Sequence, residues 1–396
     1  MKKTFCIFSA HYLPHVGGVE KYTQHLARAL SEQGNRVIIV TSNVHDLPNT
    51  ELLEQEIEIV RLPCYKLLNG RYPITRHNST YRKLANYLLE QNIDYVTINT
   101  RFYRHSLEGV KLAELKGIRP IIVDHGSAHL TMGNKIVDPF VAMVEHAVTE
   151  LVKRHSADYY AVSQAGIEWL RHFGIEACGV LNNSIDALAF AKSASHRSFR
   201  REANLSNNAF AVAFTGRLIP EKGIPALAEA ARMLVGEPLI HFFVAGEGPL
   251  KETLTKEPLS NVTFLGRLEA RDISALLKES DIFCLPSRSE GFSTSLLEAA
   301  ACKAAPLVTN VGGVQELVPS DAFGVILPSA DGKTIADAIR DLNRNRARCR
   351  AMGESINKLV IDKFSWNETA RLTTLACSAA QERNTEALHE TFQRIT

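Results

Sequence analysis

The first half of the chain alternates short apolar runs with longer amphipathic stretches. Runs rich in β-branched and aromatic residues predict strands, and stretches with apolar residues at helical spacing predict helices. The predicted strands are residues 5–9, 37–41, 57–62, 95–99, 120–124 and 159–162, and the predicted helices are 19–33, 81–91, 106–116, 138–154 and 164–173. Strict alternation of strand and helix predicts a parallel sheet with helices on both faces.

The same pattern restarts after residue 208. Predicted strands lie at 210–215, 240–245, 262–265, 282–285, 307–309 and 324–327, with helices at 223–234, 272–278 and 295–303 and a mostly helical stretch from 332 to about 387. We therefore predict a second doubly wound domain.

The segment between the two patterns loses periodicity and is rich in Ser, Arg and Asn, as linkers are. This places a first domain at residues 1–187, a linker at 188–208 and a second domain at 209–369. A terminal helix from about 370 to 396 is able to pack back on the first domain, a crossing that the sequence does not settle.

Length and composition agree with two ordinary globular domains. The chain has 396 residues with 23 Gly and 15 Pro, which excludes collagen-like and low-complexity classes. Its 45 Lys and Arg against 43 Asp and Glu leave a net charge of +2, which gives no argument for nucleic-acid binding. Seven scattered cysteines without a C-x-x-C motif disfavour a disulfide framework or structural zinc and fit a reducing compartment.

The amino terminus predicts a strand rather than a signal peptide. Two lysines precede an apolar stretch, but it is broken at His11 and Pro14 before a cleavage site is reached. No apolar run approaches the ~18 residues that a membrane span needs. We expect a cytoplasmic protein, at most peripheral on the inner face of a membrane.

Polar loops that follow the strands carry the candidate chemistry, because open parallel sheets bind ligands outside the carboxyl ends of their strands. After the strand at 282–285, Glu290 and Glu298 suit a ligand rich in hydroxyl groups, and the following helix offers its N-terminal amides to a phosphate. The alternative is structural: Ser295 and Glu298 form an S-x-x-E capping box.

The loop after the strand at 210–215 carries two cations near a helix start. Arg217 and Lys222 suit a diphosphate, with ordinary surface cations as the alternative.

Two loops of the first domain carry weaker signals. Gly17 and Gly18 allow close approach of a ligand to the backbone, although a tight turn needs glycine as often. His125 suits a hydrogen bond to a sugar hydroxyl; with His129 it has the i, i+4 spacing of a metal pair, but no third ligand is evident. We predict no metal.

The order and spacing of these motifs, together with residues 183–186 (Asn-Ser-Ile-Asp) and 246–250 (Gly-Glu-Gly-Pro-Leu), resemble those of the retaining glycosyltransferases of family 4. The resemblance runs from residue 15 to about 366. It implies the α/β GT-B fold, two doubly wound Rossmann-like domains facing a central cleft, with a nucleotide-sugar donor held mainly by the second domain and the acceptor by the first.

The resemblance also implies a role for each matching residue. Arg217 and Lys222 hold the diphosphate, Glu290 the donor sugar and Glu298 the ribose, while His125 lies beside the reactive face of the sugar. Glu290, His125, Arg217 and Lys222 are then the catalytic group. The residues that bind the donor are Gly17, Gly18, Arg217, Lys222, Glu290, Gly291, Phe292, Ser293, Thr294 and Glu298.

Two departures from the family pattern concern the donor sugar. Ser184 replaces the usual Gly after Asn183, and Ser293 replaces the second Gly of Gly-Phe-Gly. Ser293 is able to cap the following helix and narrows the approach to the backbone, which puts the identity of the donor sugar in doubt.

The chemistry implied by the resemblance needs no metal and no cofactor, because Arg and Lys neutralise the leaving diphosphate. The chain contains no D-x-D motif. Front-face attack, in which the leaving phosphate takes the acceptor proton, requires no general base from the protein.

A local excess of positive charge lies in the predicted acceptor domain. Residues 61–119 contain eleven Lys or Arg against four Asp or Glu, with Tyr65, Leu67, Leu68, Tyr72, Tyr81, Phe102 and Tyr103 interleaved. This segment predicts contact with an anionic acceptor or an anionic membrane surface, with a solvated face as the alternative.

The sequence thus predicts a retaining, metal-independent glycosyltransferase that uses a nucleotide-diphosphate sugar, with UDP as the default carrier, and acts on a glycan or lipid-linked acceptor in cell-surface polysaccharide assembly. The alternatives are a nucleotide-sugar epimerase of the same two-domain build and a non-catalytic nucleotide-binding subunit.

Overall fold

The computed structural model describes residues 2–15, 17–54, 56–129 and 137–395, with side chains to residue 386. The chain divides into two compact units. One comprises Met1–Asn182 and Trp366–Thr396, and the other comprises Asn183–Ser365.

An eight-stranded sheet forms the centre of the first unit. Its strands are β1 (Thr4–Ser9), β2 (Arg36–Ser42), β3 (Thr50–Glu54), β4 (Ile57–Leu62), β7 (Tyr95–Asn99), β8 (Ile121–Asp124), β9 (Asp158–Ala161) and β10 (Gly179–Val180); β5 (Cys64–Leu67) and β6 (Tyr72–Thr75) form a separate antiparallel hairpin. The strand order is β10-β9-β8-β7-β1-β2-β4-β3, and only β3 pairs antiparallel. The strands β1, β2 and β7 are almost wholly buried, as expected for a parallel sheet covered on both faces.

A six-stranded parallel sheet forms the centre of the second unit. Its strands are β11 (Phe210–Thr215), β12 (Ile240–Ala245), β13 (Val262–Gly266), β14 (Ile282–Leu285), β15 (Ala305–Thr309) and β16 (Val325–Leu327), in the order β13-β12-β11-β14-β15-β16. The strands β11, β12, β14 and β15 are buried along their whole length.

Helices cover both sheets. In the first unit they are α1 (Gly18–Glu32), α2 (Ser79–Glu90), α3 (Arg104–Leu115), α4 (Val137–Lys153), α5 (Gln164–Arg171) and, from the end of the chain, α15 (Trp366–Ile395). In the second unit they are α6 (Ala187–Lys192), α7 (Phe199–Glu202), a 3₁₀ turn (Pro220–Lys222), α8 (Ile224–Met233), α9 (Lys251–Thr255), α10 (Ala270–Lys278), α11 (Thr294–Ala301), α12 (Val314–Leu317), α13 (Gly332–Arg344) and α14 (Arg346–Lys363).

Helix α15 packs on the first unit, although it follows the second unit in the chain. The ring of Trp366 lies 5.5 Å from that of Tyr22, and Tyr95 Oη is 3.0 Å from Ser378 Oγ. The Arg383 guanidinium donates to Asp158. Of the helices that the structure describes, none is both long and apolar enough to cross a bilayer.

Two features differ from the prediction. Strict alternation fails after β2, where β3 and the β5–β6 hairpin intervene before α2, because antiparallel pairing needs no helical crossover.

The segment 188–208, predicted as a linker between the domains, lies within the second unit. It contains most of α6 and all of α7; Phe199 is fully buried, and the Arg200 guanidinium lies 2.6 Å from Asp281. Each of these helices has fewer than two turns, so it is too short for a helical period to be read from the sequence.

Candidate functional site

Both sheets place a topological switch beside their first strand. The strand order reverses between β1 and β7 in the first unit and between β11 and β14 in the second. Ligands of open α/β sheets bind outside the carboxyl ends of strands at such points. The loops after β1, β7 and β8, and those after β11, β12, β14 and β15, are therefore the candidate sites.

Glycines allow the loops of the second unit to pack backbone against backbone. Gly223 has a φ of +70°, and a Cβ atom there would lie 1.9 Å from the carbonyl oxygen of Pro286. A Cβ at Gly246 would lie 1.8 Å from the carbonyl oxygen of Gly216. Only glycine fits such approaches without moving the neighbouring chain. The loops after β11, β12 and β14 are thus locked against one another.

Lys222 and Glu290, two predicted site residues 68 positions apart, form an ion pair. Lys222 Nζ lies 2.6 Å from Glu290 Oε1, which also accepts a hydrogen bond of 2.8 Å from Ser287 Oγ. The Glu290 side chain is only 9% exposed and that of Lys222 20%, so solvent screens the pair weakly. Arg217 is exposed, and its guanidinium makes no ion pair or hydrogen bond within the described part of the chain.

The N-terminus of α11 follows directly after Glu290. Ser293 Oγ accepts a hydrogen bond from Leu296 N at 3.3 Å, which confirms the predicted cap at Ser293. The alternative capping box of Ser295 and Glu298 is wrong, because the helix begins at Thr294 and Glu298 lies too far along it to serve that cap. Glu298 is partly exposed in the second turn of α11.

The side chain of Phe292 belongs to the core rather than to an open surface. Its ring centroid lies 5.7 Å from that of Phe364, and a Cβ at Gly313 would lie 2.1 Å from its Cδ2. Only the main chain of Phe292 is therefore available to contact a nucleotide-sugar donor. Gly291 O accepts a hydrogen bond from Gly313 N at 3.2 Å.

Sequence reasoning missed the loop after β15. A Cβ at Gly312 would lie 2.4 Å from the carbonyl oxygen of Glu290, and Gly312 has a φ of +55°. Thr309 Oγ1 donates to the carbonyl oxygen of Ser287. This loop thus fixes the backbone that carries Glu290; its signal in the sequence was a Gly-Gly pair after a buried strand.

A cavity of about 230 Å³ lies at the switch of the first unit. Its lining includes His11 from the loop after β1, Asn99 and Arg101 from the end of β7, His125 from the loop after β8, and Trp169 of α5. The indole Nε1 of Trp169 is buried and has no hydrogen-bond partner among the described residues. The cavity therefore combines aromatic walls with polar side chains, while the Trp169 Nε1–H lies below its surface.

A hydrogen-bond relay fixes the tautomer of His125. Thr23 Oγ1 donates to Val19 O, so Thr23 accepts from Asn99 Nδ2 at 2.7 Å. Asn99 Oδ1 is then the acceptor for His125 Nε2–H at 3.3 Å. Burial lowers the pKa of His125 to about 3, so the ring is neutral at physiological pH, with its proton on Nε2.

A buried charge network below the same cavity was not predicted. Arg101 is fully buried; its Nη2 lies 2.8 Å from Glu145 Oε1, and its Nη1 lies 3.7 Å from Asp124 Oδ1. Burial raises the pKa of Asp124 to about 6, and Arg101 opposes this rise. Arg101 follows the apolar strand β7, and Asp124 ends the apolar strand β8. The sequence carries no other signal of this network.

Gly17 and Gly18 open helix α1 at the same edge of the sheet. Glu20 is buried in the first turn of α1 and lies 3.1 Å from His15 Nδ1. A Cβ at Gly17 would lie 2.4 Å from Glu20 Oε2, whereas a Cβ at Gly18 would meet no described atom within 4 Å. A side chain at Gly17 would therefore displace only the carboxylate of Glu20, and one at Gly18 would enter space that no described atom occupies.

Solved structures of other proteins share this fold. Sucrose-phosphate synthase of Thermosynechococcus elongatus matches with a TM-score of 0.73 over the full length of both chains at 19% identity. HepE of Anabaena, solved in complex with UDP-glucose, matches with a TM-score of 0.71 over 95% of this chain and 99% of that one at 18% identity. Two Rossmann-like domains of this build are the GT-B fold of glycosyltransferases.

Sequence comparisons then identify the family. A model described as Glycosyltransferase Family 4 matches residues 16–187, and one described as Glycosyl transferases group 1 matches residues 195–359. The chain belongs to the family 4 glycosyltransferases and is an enzyme of that class.

Characterised and uncharacterised relatives both match over most of their length. An uncharacterized glycosyltransferase of Methanocaldococcus jannaschii is 25% identical over 92% of this chain and 95% of its own length. One component of the human phosphatidylinositol N-acetylglucosaminyltransferase is 24% identical over 93% of this chain and 74% of its own length.

Proposed function

We propose that the protein is a retaining, metal-independent glycosyltransferase that moves a sugar from a UDP-sugar to a hydroxyl group of a lipid-linked or glycan acceptor in cell-surface polysaccharide assembly. The observation that carries the proposal is the Lys222–Glu290 pair at the switch of the second sheet, where a cation for phosphate and an acid for sugar hydroxyls lie 2.6 Å apart.

The donor diphosphate has two cations available. Arg217 projects from the loop after β11 without an internal partner among the described residues, and Lys222 closes the same loop. A guanidinium binds phosphate oxygens in a fork, and an ammonium adds a point charge. Together they stabilise the negative charge that develops on the leaving UDP, which is the role a metal plays elsewhere.

Donor recognition then involves three sets of groups. The carboxylate of Glu290 accepts hydrogen bonds from sugar hydroxyls, the carboxylate of Glu298 from the ribose, and the main chain from Gly291 to Thr294 faces the phosphates.

The transfer itself balances without a protein base. The acceptor oxygen attacks the anomeric carbon on the face from which UDP leaves, the bond between that carbon and the phosphate oxygen breaks, and the departing phosphate takes the acceptor proton. His125 is neutral, so it orients a hydroxyl by hydrogen bonding and does not act as a cationic acid.

Membership of the glycosyltransferase family argues against the epimerase and the non-catalytic role. An epimerase converts its UDP-sugar without an acceptor, whereas this protein is expected to show at most slow donor hydrolysis when acceptor is absent.

A thermal-shift panel of nucleoside diphosphates and UDP-sugars tests the donor, because a ligand that binds only the native form raises Tm. We include UDP-N-acetylglucosamine because the human relative is named for N-acetylglucosaminyl transfer. Retention is then read by NMR from the anomeric configuration of the product. An inverted product, or a Tm shift with ADP or GDP and none with UDP, would contradict the proposal.

A lipid-linked acceptor is favoured by the β5–β6 hairpin of the first unit. Leu67 and Leu68 are exposed there, Leu68 by 56%, between the exposed cations Lys66 and Arg71. Leu68 and Asn69 have φ values of +51° and +55°, and Gly70 N donates to Leu67 O, so a tight hairpin turn holds Leu68 at the tip.

Burial and ion pairing remove some residues of the basic segment 61–119 from the proposed membrane contact. Arg61, Arg101 and Arg119 form ion pairs with acidic residues, and Phe102 is buried. Lys66 is exposed but pairs with Asp46. The other exposed cations of the segment are Arg71, Arg76, Arg82, Lys83, Arg104 and Lys111. The hairpin, with Tyr65, Leu67 and Leu68, supplies apolar groups that insert at a headgroup boundary, while the cations attract anionic lipid.

Flotation with anionic and neutral liposomes tests this surface. We expect the wild type to float with anionic liposomes and Leu67→Ser/Leu68→Ser to remain in the soluble fraction, with Leu115→Ser, an exposed leucine at the end of α3, as the matched control. Equal failure of the wild type with both lipids would end the membrane proposal and leave the donor chemistry untouched.

A further inference from the structure

We propose that His129, His146 and His172 form a binding site in the first unit for a transition-metal cation, with Zn²⁺ as the best fit. The residues come from the loop after β8, from α4 and from the end of α5. No site of this kind follows from the sequence spacing, because the three positions are far apart in the chain.

The geometry of the three rings suits tetrahedral coordination. One ligand nitrogen from each ring lies within 4.8 Å of the others, and His146 Nε2 is 3.3 Å from His172 Nε2. Two imidazole nitrogens bound to Zn²⁺ at about 2.05 Å with a tetrahedral angle are about 3.3 Å apart. The distance between His146 Nε2 and His172 Nε2 therefore already suits a bound ion. A small movement of His129 brings its nitrogen to the third coordination position.

A carboxylate orients the third histidine. Glu145 Oε2 lies 2.8 Å from His129 Nδ1, while Glu145 Oε1 holds Arg101. The proton of His129 is thereby held on Nδ1, and Nε2 keeps the lone pair that a metal needs. This carboxylate–histidine arrangement is typical of metal ligands.

Neighbouring aromatic rings fix the other two ligands. The Trp169 ring stacks on His172 with centroids 5.0 Å apart and planes at 4°, and the Phe173 ring lies 4.6 Å from that of His146. His172 is exposed, so water can occupy the fourth position of a bound ion.

The three rings also lie close enough to share one cation. The ring centroid of His129 lies 5.4 Å from that of His146 and 5.4 Å from that of His172. The metal-free alternative is a single hydrogen bond between His146 and His172, which leaves His129 outside the contact.

The sequence offered His125 and His129, an i, i+4 pair, as an alternative metal-binding pair. In the structure the two side chains have different partners. His125 is hydrogen-bonded to Asn99, whereas His129 is hydrogen-bonded to Glu145. The further ligands come instead from α4 and α5, which only the fold brings to His129.

Metal binding to the purified, chelator-treated protein tests the site. We expect calorimetric titration with ZnCl₂ to show one saturable equivalent and a rise in Tm of about 3 °C, and Co²⁺ to give the strong visible absorption of a tetrahedral complex. In His172→Gln, whose exposed position lets the variant fold, all three signals should be lost.

His155→Gln is the matched control. His155 also pairs with a glutamate in the first unit, Glu114, but lies outside the trio. It should bind Zn²⁺ as the wild type does. Absence of a saturable equivalent in the wild type, or unchanged Zn²⁺ and Co²⁺ signals in His172→Gln, overturns the proposal. Neither readout depends on transferase activity, so failure here is separate from failure of the proposed function.

Discussion

Lys222 and Glu290 neutralise each other across two loops of the second unit, at a separation of 2.6 Å between Nζ and Oε1. The pair holds the ammonium group beside the carboxylate before any donor arrives, and Ser287 holds the carboxylate from the other side. In the proposed function, phosphate and sugar hydroxyls meet groups that are already positioned, which lowers the reorganisation needed during transfer.

Glu290→Gln and Lys222→Ala should each reduce kcat by about 100-fold or more, because each removes a charge that acts on the transition state. The double variant should lose less than the product of the two single losses, since the residues act as one unit. Steady-state rates of UDP release with acceptor present give the measurement.

The control for these variants is Cys302→Ala. Cys302 is buried at the carboxyl end of α11, and its thiol contacts Ser274. It should keep a rate near that of the wild type. Activity that survives both Glu290→Gln and Lys222→Ala would contradict the assignment of these two residues to the transferase site.

Gly223→Ala should reduce the free energy of unfolding of the second unit by about 2 kcal/mol or more, because alanine is strained at a φ of +70° and its Cβ would collide with Pro286 O. Gly236→Ala, where a Cβ meets no described atom within 4 Å, should change it by less than about 0.5 kcal/mol. Urea unfolding compares the two. Equal effects would show that the loop packing does not depend on Gly223.

The neutral state of His125 predicts a pH dependence. Its pKa is about 3 in the folded protein and near 6.5 when unfolded, so the unfolded state binds the extra proton and stability is lost as pH falls through that window. Between pH 8 and pH 5 this residue should cost about 2 kcal/mol, which His125→Gln removes.

Urea unfolding of both proteins at the two pH values isolates this contribution. Asp124, with a raised pKa of about 6, changes stability in the opposite direction, since its stabilising protonated form is lost as pH rises, but it is present in both proteins. An NMR titration should show the His125 ring unchanged from pH 8 to pH 5. A ring that titrates near 6.5 would contradict the burial that keeps His125 neutral.

Divalent cations should not change the rate of transfer. In the proposed function, Arg217 and Lys222 offset the charge of the donor diphosphate, so EDTA should leave the rate nearly intact and added Mg²⁺ or Mn²⁺ should not raise it. The same titration on His172→Gln separates any effect of the proposed histidine site. A rate that falls with EDTA and returns with Mg²⁺ in both proteins would show that the phosphates need a metal.

Most strands, and the polar residues that follow them in the second unit, could be predicted from the order of residues alone. Apolar runs of the right length predicted β1, β7, β12 and β14 within a residue of their observed bounds, because strands buried on both faces must be apolar throughout. Polar residues just after such strands marked Arg217, Lys222 and Glu290, since the carboxyl edge of a parallel sheet is where ligands bind.

The meeting of distant groups, by contrast, depends on how the chain folds. The Lys222–Glu290 pair, the burial of Arg101 between Asp124 and Glu145, and the gathering of His129, His146 and His172 join positions whose separation along the chain carries no signal. Local periodicity reports only the nearest turns of the backbone. Contacts of this kind depend on strand order and helix packing, which are fixed by the burial of the whole core rather than by any short segment.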